Sequence, residues 1–205
     1  MRVVVPFAAE QPKTRLDGIL TAAERRGFSR AMLADVLAAI RESGHEPELL
    51  TTAPIERDVP TIVDERPLTA AVNAVLETDP PVAIVMADLP LATPAALVEL
   101  FEAPEEVVLA PGRGGGTNAL VARHPDFRVD YHGTSYLDHR EGARRVGASV
   151  GTVDSFRLAT DIDERADLAE VLVHGEGAAR AWLDRADVRL VRDDGHVGVE
   201  RARNG

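Results

Sequence analysis

Short, almost entirely apolar runs recur along the chain, and segments with helical spacing separate them. The clearest of these runs are residues 2–7, 82–87, 107–110 and 119–122. Because the runs lack the apolar–polar alternation of a half-exposed sheet, each is predicted to be a strand that is buried on both faces. Strands that alternate with helices in this way predict an α/β protein with a mostly parallel, mixed sheet that is covered by helices on both sides.

Capping and turn residues place the remaining elements. Thr21 and Glu24 have the spacing of a capping box and begin a helix that extends to Gly44. Further helices are predicted at residues 68–77, 93–101, 136–146, 164–173 and 176–187. Weaker strands are predicted at residues 48–51, 61–64, 149–153 and 188–191, and a frayed tail is expected at residues 192–205. A length of 205 residues is typical of one domain, so we expect a single domain over residues 1–205.

The composition excludes several classes of function. Asp and Glu number 34 against 23 Lys and Arg, and the net charge of −11 argues against non-specific binding to nucleic acid or to anionic membranes. The chain has no cysteine, which excludes a disulfide scaffold, a thiolate zinc site and a cysteine nucleophile. No apolar run reaches the ~18 residues of a membrane span. The polar residues that soon follow the first strand do not fit a signal peptide, so we expect a soluble, cytoplasmic protein.

Lysine is almost absent, and this makes its one occurrence informative. Lys13 is the only lysine in the chain. An acidic, lysine-poor and arginine-rich composition is typical of halophiles with high-GC genomes, because concentrated salt screens the repulsion among surface carboxylates. Lys13 lies two residues before Arg15 in the loop after the first strand. The two cations are therefore candidates for binding one polyphosphate, although a solvated loop explains them equally well.

An aspartate stands where a buried strand ends. Ligands of parallel α/β sheets bind beyond the carboxyl ends of the strands, so functional residues are expected in the loops after Phe7, Ala87 and Ala110. Asp88 directly follows the apolar run 82–87. A carboxylate there costs desolvation free energy unless a cation or a hydrogen-bond donor faces it. Asp88 is therefore either a turn or N-cap aspartate or a ligand of a hard divalent cation.

Two further polar segments are candidates for binding an anion. Residues 112–118, with the sequence GRGGGTN, combine glycines that allow a close backbone approach with Arg113 and Thr117, whose side chains suit phosphate or carboxylate oxygens. Residues 132–135 precede a predicted helix, where backbone amides face an anion. A flexible turn and a simple N-cap at Ser135 are the structural alternatives for these two segments.

Asp161 and Asp163 form an acidic pair late in the chain. In an extended segment, residues two positions apart point the same way, so the pair and Asp88 predict a carboxylate clamp on Mg²⁺ bound to a triphosphate. The D-x-D pattern alone is common, and a helix N-cap also explains Asp163. His132 and His139 have no third ligand at a familiar spacing, so a zinc site is not predicted.

Five sequence motifs give the chain a family resemblance. They are VVVPF with KTRL, MADLP, APGRGGGTNAL, HGTSYLDH and DIDERADL, and the resemblance covers about residues 1–173. In this order they resemble nucleotidyltransferases of the GT-A-like class, and more narrowly the 2-phospho-L-lactate guanylyltransferases of coenzyme F420 biosynthesis. The most specific segment is GRGGGTNAL. The resemblance implies a Rossmann-like, three-layer fold of the nucleotide-diphospho-sugar transferase type, and a homodimer from a haloarchaeon.

The resemblance implies a role for each charged candidate. Lys13 and Arg15 match the loop that holds the triphosphate of GTP. Asp88 matches the first metal-binding aspartate. Asp161 and Asp163 are both candidates for the second, and Asp163 is favoured because it precedes the closing helix.

The central loops are also given roles by the resemblance. The backbone of Gly114 and Gly115 would approach the nucleotide. Four residues of these loops would hold the phosphorylated acceptor acid: Arg113, Thr117, Gly133 and Ser135. The chain departs from the family pattern at residues 164–166, where Thr-Pro-Glu is usual, and its spacing from Gly133 to Ser135 is one residue shorter.

The implied reaction joins GMP from GTP to the phosphate of 2-phospho-L-lactate. An oxygen of the acceptor phosphate would attack the α-phosphorus in line and expel pyrophosphate, with Mg²⁺ as cofactor and GTP as co-substrate. A phosphate monoester has a second pKa of ~6, so it is already dianionic at neutral pH and needs no general base. Lys13 and Arg15 would neutralise the leaving phosphates.

Other functions remain open on the sequence alone. Phosphoenolpyruvate, 3-phosphoglycerate, a sugar phosphate or molybdopterin could be the acceptor instead, because such small differences depend on the shape of the pocket. A metal-dependent glycosyltransferase also combines a parallel sheet with a D-x-D pair, and a non-catalytic nucleotide-binding module is a third alternative. No motif identifies the residues that read the guanine base.

Overall fold

The computed structural model describes residues 1–8, 13–55, 58–78, 80–193 and 196–201. Within these ranges a sheet of seven strands forms the centre of the protein. Its strands are β1 (Arg2–Phe7), β2 (Pro47–Thr51), β3 (Thr61–Val63), β4 (Val82–Val85), β5 (Val107–Pro111), β6 (Thr117–Ala122) and β7 (Val150–Thr152). Their spatial order in the sheet is β3-β2-β1-β4-β6-β5-β7.

Helices and a separate hairpin make up the rest of the described chain. The helices are α1 (Ala22–Glu42), α2 (Leu68–Leu76), α3 (Pro94–Glu102), α4 (Ser135–Arg145), α5 (Phe156–Ala159), α6 (Leu168–His174) and α7 (Ala178–Arg185). The hairpin consists of β8 (Val188–Asp193) and β9 (His196–Arg201). Among the described residues, no helix is both long and apolar enough to span a membrane.

The pairing of the strands determines where their loops open. β1 is parallel to β2 and β4, β2 is parallel to β3, and β5 is parallel to β7. β6 is antiparallel to both β4 and β5. Residues 112–116, which connect β5 to β6, are too short for a crossover and form a hairpin loop instead. The predicted α/β class with a mostly parallel, mixed sheet is confirmed, and the loops after β1 and β4 open at the same edge.

Apolar side chains cover both faces of the sheet. Val3, Val4 and Val5 are all fully buried, because successive residues of β1 face opposite sides. One face packs against α1 and α3 through side chains such as Leu33 and Leu97, and the other packs against α2 and α4. Burial on both faces explains why the strand sequences are apolar throughout rather than alternating.

A third apolar cluster joins α6 and α7 to α1. Leu16 and Ile162 are both fully buried in this cluster, together with Phe28 of α1 and Leu183 of α7. Leu16 follows the predicted phosphate-binding loop, and Ile162 lies between the two late aspartates. Their common burial therefore brings two distant polar segments of the chain together.

The expectation of a frayed tail from residue 192 is wrong for the described residues. β9 pairs with β8 along residues 196–201, and Val199 is buried in the third cluster. Arg201 also donates hydrogen bonds of 2.9 and 2.6 Å to the two carboxylate oxygens of Glu24. These tertiary contacts stabilise a strand whose own sequence is too polar to predict it, and residues 202–205 lie outside the described part.

The region before α6 differs from the prediction in detail. The four-residue helix α5 was not predicted. The helix expected from residue 164 begins as a short 3-10 helix at Arg165–Asp167, and α6 starts only at Leu168.

A half-buried carboxylate fixes the start of α7. Asp35 of α1 accepts the backbone N–H groups of Ala178 and Ala179 at 2.5 and 2.8 Å. Burial raises the pKa of Asp35, and the two N–H donors act in the opposite direction. A Cβ at Gly177 would lie 2.2 Å from the Asp35 carboxylate, so only glycine leaves room for this contact.

We expect the Asp35→Ala substitution to lower the free energy of unfolding by about 2 kcal/mol, because hydrogen bonds to a charged group contribute roughly 1.5–3 kcal/mol. Urea denaturation monitored by circular dichroism measures the change. Asp184→Ala is the matched control, since Asp184 forms only an exposed i,i+4 pair with Arg180 and should change stability by less than about 0.5 kcal/mol. Equal losses in the two variants would contradict the role of Asp35.

Candidate active site

One ammonium group joins three distant parts of the chain. Lys13 Nζ donates to Asp88 Oδ2 at 2.7 Å and to Asp163 Oδ1 at 2.5 Å. Lys13 comes from the segment after β1, Asp88 follows β4, and Asp163 precedes α6. The structure thus brings together three of the residues that the sequence suggested for binding a metal–nucleotide.

Backbone contacts hold the two aspartates beside each other. The N–H of Ile162 donates to the carbonyl oxygen of Asp88 at 3.1 Å. Burial of Ile162 and Leu16 in the third cluster fixes the segments on both sides of this contact. Asp163 is therefore positioned by its apolar neighbour as well as by its own ion pair.

Lys13 is held in an unusual and mostly buried position. Its side chain is only 11% exposed, and its backbone φ of 55° lies in the left-handed region. Burial acts to lower the pKa of Lys13, but the charges and hydrogen bonds of Asp88 and Asp163 outweigh this effect and raise its pKa above the ordinary value. Lys13 is therefore a cation at neutral pH, and it pairs with two carboxylates at once.

Asp161 faces a different partner from Asp163. Asn118 Nδ2 donates to Asp161 Oδ1 and to the carbonyl oxygen of Leu158, both at 3.0 Å. The pKa of Asp161 is raised overall, mainly because the carboxylate is partly buried. The hydrogen bond from Asn118 acts to lower this pKa, and the negative charges of Asp88 and Asp163 act to raise it. Asn118 fits here because Gly112 has no Cβ, which would lie 2.5 Å from the Asn118 amide oxygen.

Asp167 was not identified from the sequence, although it orders the acidic segment. Its Oδ2 accepts the N–H groups of Asp163 and Glu164 at 3.0 and 2.8 Å. These bonds close the turn at residues 164–167, where the chain departs from the family pattern. The turn is therefore formed without the usual Thr-Pro-Glu, and the signal for it was the acidic residue three positions after Glu164.

The glycine-rich segment is an ordered hairpin loop. Within the loop, the N–H of Gly112 donates to the carbonyl oxygen of Gly116, and the N–H of Gly115 donates to the carbonyl oxygen of Gly112, both at 2.9 Å. The N–H of Arg113 donates to the carbonyl oxygen of Ala159 in α5 at 3.0 Å. Gly115 has a φ of 85°, which favours glycine. The Gly112 and Gly115 amides are used within the loop and the Arg113 amide binds α5, so the predicted contact of Gly115 with a nucleotide would use atoms other than its N–H.

A cavity of about 660 Å³ lies beside the glycine-rich loop. Its charged lining comprises two arginines and four carboxylates: Arg15, Arg113, Asp161, Asp163, Glu164 and Asp167. Its uncharged lining comprises Gly114, Gly116, Asn118 and Gly133. Because carboxylates outnumber arginines in this wall, a polyanion entering the cavity needs an additional cation there.

Arg15 lies at the rim of this cavity. Its guanidinium is 3.9 Å from Asp163 and 3.7 Å from Glu164, and its side chain is 68% exposed. Arg113 is similarly exposed and lies 3.8 Å from Glu170. Both arginines are weakly held by these exposed pairs and are free to turn toward a bound phosphate.

A smaller cavity of about 250 Å³ is lined by Lys13, Asp88 and Asp163, of which Asp163 also lines the larger cavity. Its walls are mainly apolar and come from the ends of β1 and β4 and from α1. Ser29 and Met32 of α1 form part of this wall. Among the described side chains, the Ser29 hydroxyl is buried without a hydrogen-bond partner.

Thr117 and Ser135 lie in a buried network. The N–H of Thr117 donates to the Ser135 hydroxyl at 3.1 Å, and the Thr117 hydroxyl lies 2.8 Å from His139 Nδ1. His139 Nε2 accepts the N–H of Asp130 at 2.9 Å, so the ring carries its proton on Nδ1 and donates it to Thr117. Both hydroxyls thus join β6 to α4, and their predicted contact with an acceptor stays a prediction.

The oxygen ligands present here fit a divalent cation. Within the described ranges no three His, Cys, Asp or Glu side chains form a ready-made metal site. Asp88 and Asp163 nevertheless already direct one oxygen each at a single cation, the Lys13 ammonium. Mg²⁺ is usually bound by one or two carboxylates together with substrate phosphates, and this pair meets that requirement.

Comparison with known proteins identifies the fold. A nucleotide-diphospho-sugar transferase from Desulfovibrio desulfuricans superposes with a TM-score of 0.69 at 16% identity and covers 91% of this chain and 96% of its own. A nucleotidyl transferase from Methanothermobacter superposes with a TM-score of 0.58 at 14% identity and covers 84% of this chain and 96% of its own. The fold is therefore the one shared by these transferases, as the sequence resemblance implied.

Sequence relatives define the family. The family model described as guanylyl transferase CofC like matches residues 1–196. A protein named 2-phospho-L-lactate guanylyltransferase from Halomicrobium mukohataei is 61% identical over 98% of this chain and all of its own length. A protein of the same name from Haloferax volcanii is 58% identical over 99% of this chain and all of its own length. The protein is an enzyme of the nucleotidyltransferase class. Within that class the chain belongs to the CofC-like guanylyl transferase family, and the predicted resemblance is confirmed.

We expect the buried His139 to make the protein less stable in mild acid. Burial lowers the pKa of His139 to about 4, whereas an unfolded histidine titrates near 6.5. Between these values the unfolded chain binds more protons, so stability falls as the pH decreases from 6.5 toward 4, by at most about 3 kcal/mol.

Urea denaturation at pH 7 and pH 4.5 measures this dependence. The His139→Asn variant should show a smaller loss of stability between the two pH values than the unsubstituted protein. His132→Asn, which removes a half-exposed histidine nearby, is the control. An unchanged pH dependence in His139→Asn would show that another group is responsible.

Proposed function

We propose that the protein transfers GMP from GTP to the phosphate of 2-phospho-L-lactate, giving lactyl-2-diphospho-5′-guanosine and pyrophosphate in coenzyme F420 biosynthesis. Family membership and the names of the haloarchaeal relatives support the identity of the reaction. The observation that carries the proposal for this chain is the convergence of Lys13, Asp88 and Asp163 beside a charged cavity.

The acceptor brings its own nucleophile to the site. Its phosphate has a second pKa of ~6 and is largely dianionic at neutral pH, so no side chain has to remove a proton. This agrees with His139, the buried histidine of the site region, being used within the fold. We infer that the residues of the cavity act by positioning the two reactants and by neutralising charge.

Charge neutralisation is the main requirement of this cavity. GTP and a phosphorylated acid are both polyanions, and four carboxylates already line the wall. We propose Asp88 and Asp163 as the ligands of Mg²⁺, with Asp161 nearby as a further candidate. When bound, the ion would supply the positive charge that lets the two anions approach and that stabilises the developing charge at the α-phosphate.

The cationic side chains complete the proposed site. Arg15 at the rim and Lys13 beside the aspartates are suited to the leaving β- and γ-phosphates. Arg113 and the backbone of Gly114 and Gly133 line the same cavity and are proposed to hold the nucleotide and the acceptor. A cytoplasmic homodimer remains the expectation for this enzyme.

Pyrophosphate release identifies the acceptor and the nucleotide. The protein is incubated at high salt with Mg²⁺, with GTP, ATP or CTP, and with 2-phospho-L-lactate, phosphoenolpyruvate or 3-phosphoglycerate. We expect the combination of GTP and 2-phospho-L-lactate to give the highest kcat/KM. A clear preference for another acid or for a sugar phosphate would replace the proposed substrate.

The Asp88→Asn variant tests the proposed metal ligand. We expect kcat to fall by at least about 10³-fold, because loss of a group that stabilises transition-state charge typically costs about 10²–10³-fold or more. Asp126→Asn is the matched control, since Asp126 is an exposed residue in the loop after β6, at the opposite edge of the sheet. Full turnover by a folded Asp88→Asn protein would refute the assignment.

A further inference from the structure

Lys13 occupies the point at which a metal ion shared by Asp88 and Asp163 would lie. Its ammonium contacts one oxygen of each carboxylate, at 2.7 and 2.5 Å. A Mg²⁺ ion binds carboxylate oxygens at about 2.0–2.1 Å, so an ion bound by the same two oxygens on the side that faces Lys13 would overlap the ammonium. The two cations therefore cannot occupy this place together.

We propose that Lys13 is a built-in counter-cation that excludes a divalent ion from Asp88 and Asp163 until the phosphates of a nucleotide draw its ammonium away. Metal binding and nucleotide binding are then coupled, because each removes an obstacle to the other. The inference rests on the proposed function only for the identity of the anion. The exclusion of metal by Lys13 depends on the geometry alone.

The local structure keeps Lys13 between the aspartates. The side chain is 11% exposed, and Leu16, three residues later, anchors the segment in the third apolar cluster. Without Lys13, two carboxylates that converge on one point would repel each other with no counter-charge between them. The ammonium therefore stabilises the arrangement that the metal later uses.

The chemistry of lysine suits a cation that must also leave. An ammonium is a compact charge on a flexible stem and is not tied to one planar geometry, unlike the fork of an arginine. The adjoining cavity places the exposed Arg15 and Arg113 where phosphates would enter. A phosphate chain bound there would offer Lys13 new oxygen partners. When the Lys13 ammonium moves to them, Asp88 and Asp163 are left facing a common point. Lys13 is the only lysine in the sequence, in which all other Lys or Arg positions are arginine.

The test measures metal binding in the absence of any nucleotide or acceptor. Mn²⁺, whose free form is quantified by electron paramagnetic resonance, serves as the probe in about 1 M KCl, where long-range charge effects are screened to about 3 Å. We expect the Lys13→Met variant to bind Mn²⁺ at least tenfold more tightly than the unsubstituted protein. We also expect millimolar Mg²⁺ to raise the melting temperature of Lys13→Met and not that of the unsubstituted protein.

Two variants separate the proposed exclusion from a general effect of charge. Arg15→Met removes the same charge from the same segment, 3.9 Å from Asp163, and should leave Mn²⁺ affinity within twofold. The double variant Lys13→Met/Asp163→Asn should lose the affinity that Lys13→Met gained. An equal gain in Arg15→Met, or a gain that survives in the double variant, would overturn the proposal.

The unsubstituted protein provides a second, independent measurement. Adding a non-hydrolysable GTP analogue at saturation should raise its affinity for Mn²⁺ at least tenfold over the value for the protein alone and for the analogue alone. A folded Lys13→Met protein with unchanged Mn²⁺ affinity, or tight Mn²⁺ binding by the protein without nucleotide, would refute the inference. Neither result depends on which acid accepts GMP, so the proposed reaction can fail while the inference holds.

Discussion

The ion triad of Lys13, Asp88 and Asp163 is the interaction on which the rest of the site depends. Carboxylates at the end of a buried strand lose much of their hydration and are stable only beside a cation or hydrogen-bond donors. Here one ammonium satisfies both carboxylates and thereby ties the segment after β1 to the segment before α6. The fold brings those two segments close together because Leu16 and Ile162 are buried in the same apolar cluster. The triad and the apolar cluster therefore stabilise the same arrangement.

Much of this arrangement could be predicted, because the relevant signals are local. Apolar runs without alternation indicated strands buried on both faces, and Asp88 was marked by its position after one of them. Lys13 was marked by being the only lysine. The sequence order of the motifs also identified the family, which the comparisons confirm.

The contacts that could not be predicted depend on tertiary structure. Asn118 holds Asp161 from a strand 43 positions earlier, and its space exists because Gly112 lacks a Cβ. β9 is stabilised by its pairing with β8 and by the burial of Val199, and its two apolar residues, Val197 and Val199, are too few to predict the strand from the sequence. The D-x-D pattern predicted two carboxylates that point the same way, whereas the structure gives each its own partner: Lys13 for Asp163 and Asn118 for Asp161. A pattern gives residue types and spacing, and partners are decided by the packing around them.

The unequal surroundings of the aspartates have a chemical consequence. Asp163 is 42% exposed and shares its cation, the Lys13 ammonium, with Asp88, so in the proposed exchange its carboxylate would become available when that ammonium moves. Asp161 accepts a hydrogen bond from the Asn118 amide, which is itself held by its second hydrogen bond, to the carbonyl oxygen of Leu158. If the proposed exchange occurs, two carboxylates with an exchangeable partner and a third with a fixed one would suit a site that binds and releases an ion during turnover. Asp161 would then shape the wall of the cavity, while Asp88 and Asp163 respond to the nucleotide. In this way the short segment 161–163 would supply one carboxylate with a structural role and one that binds the ion.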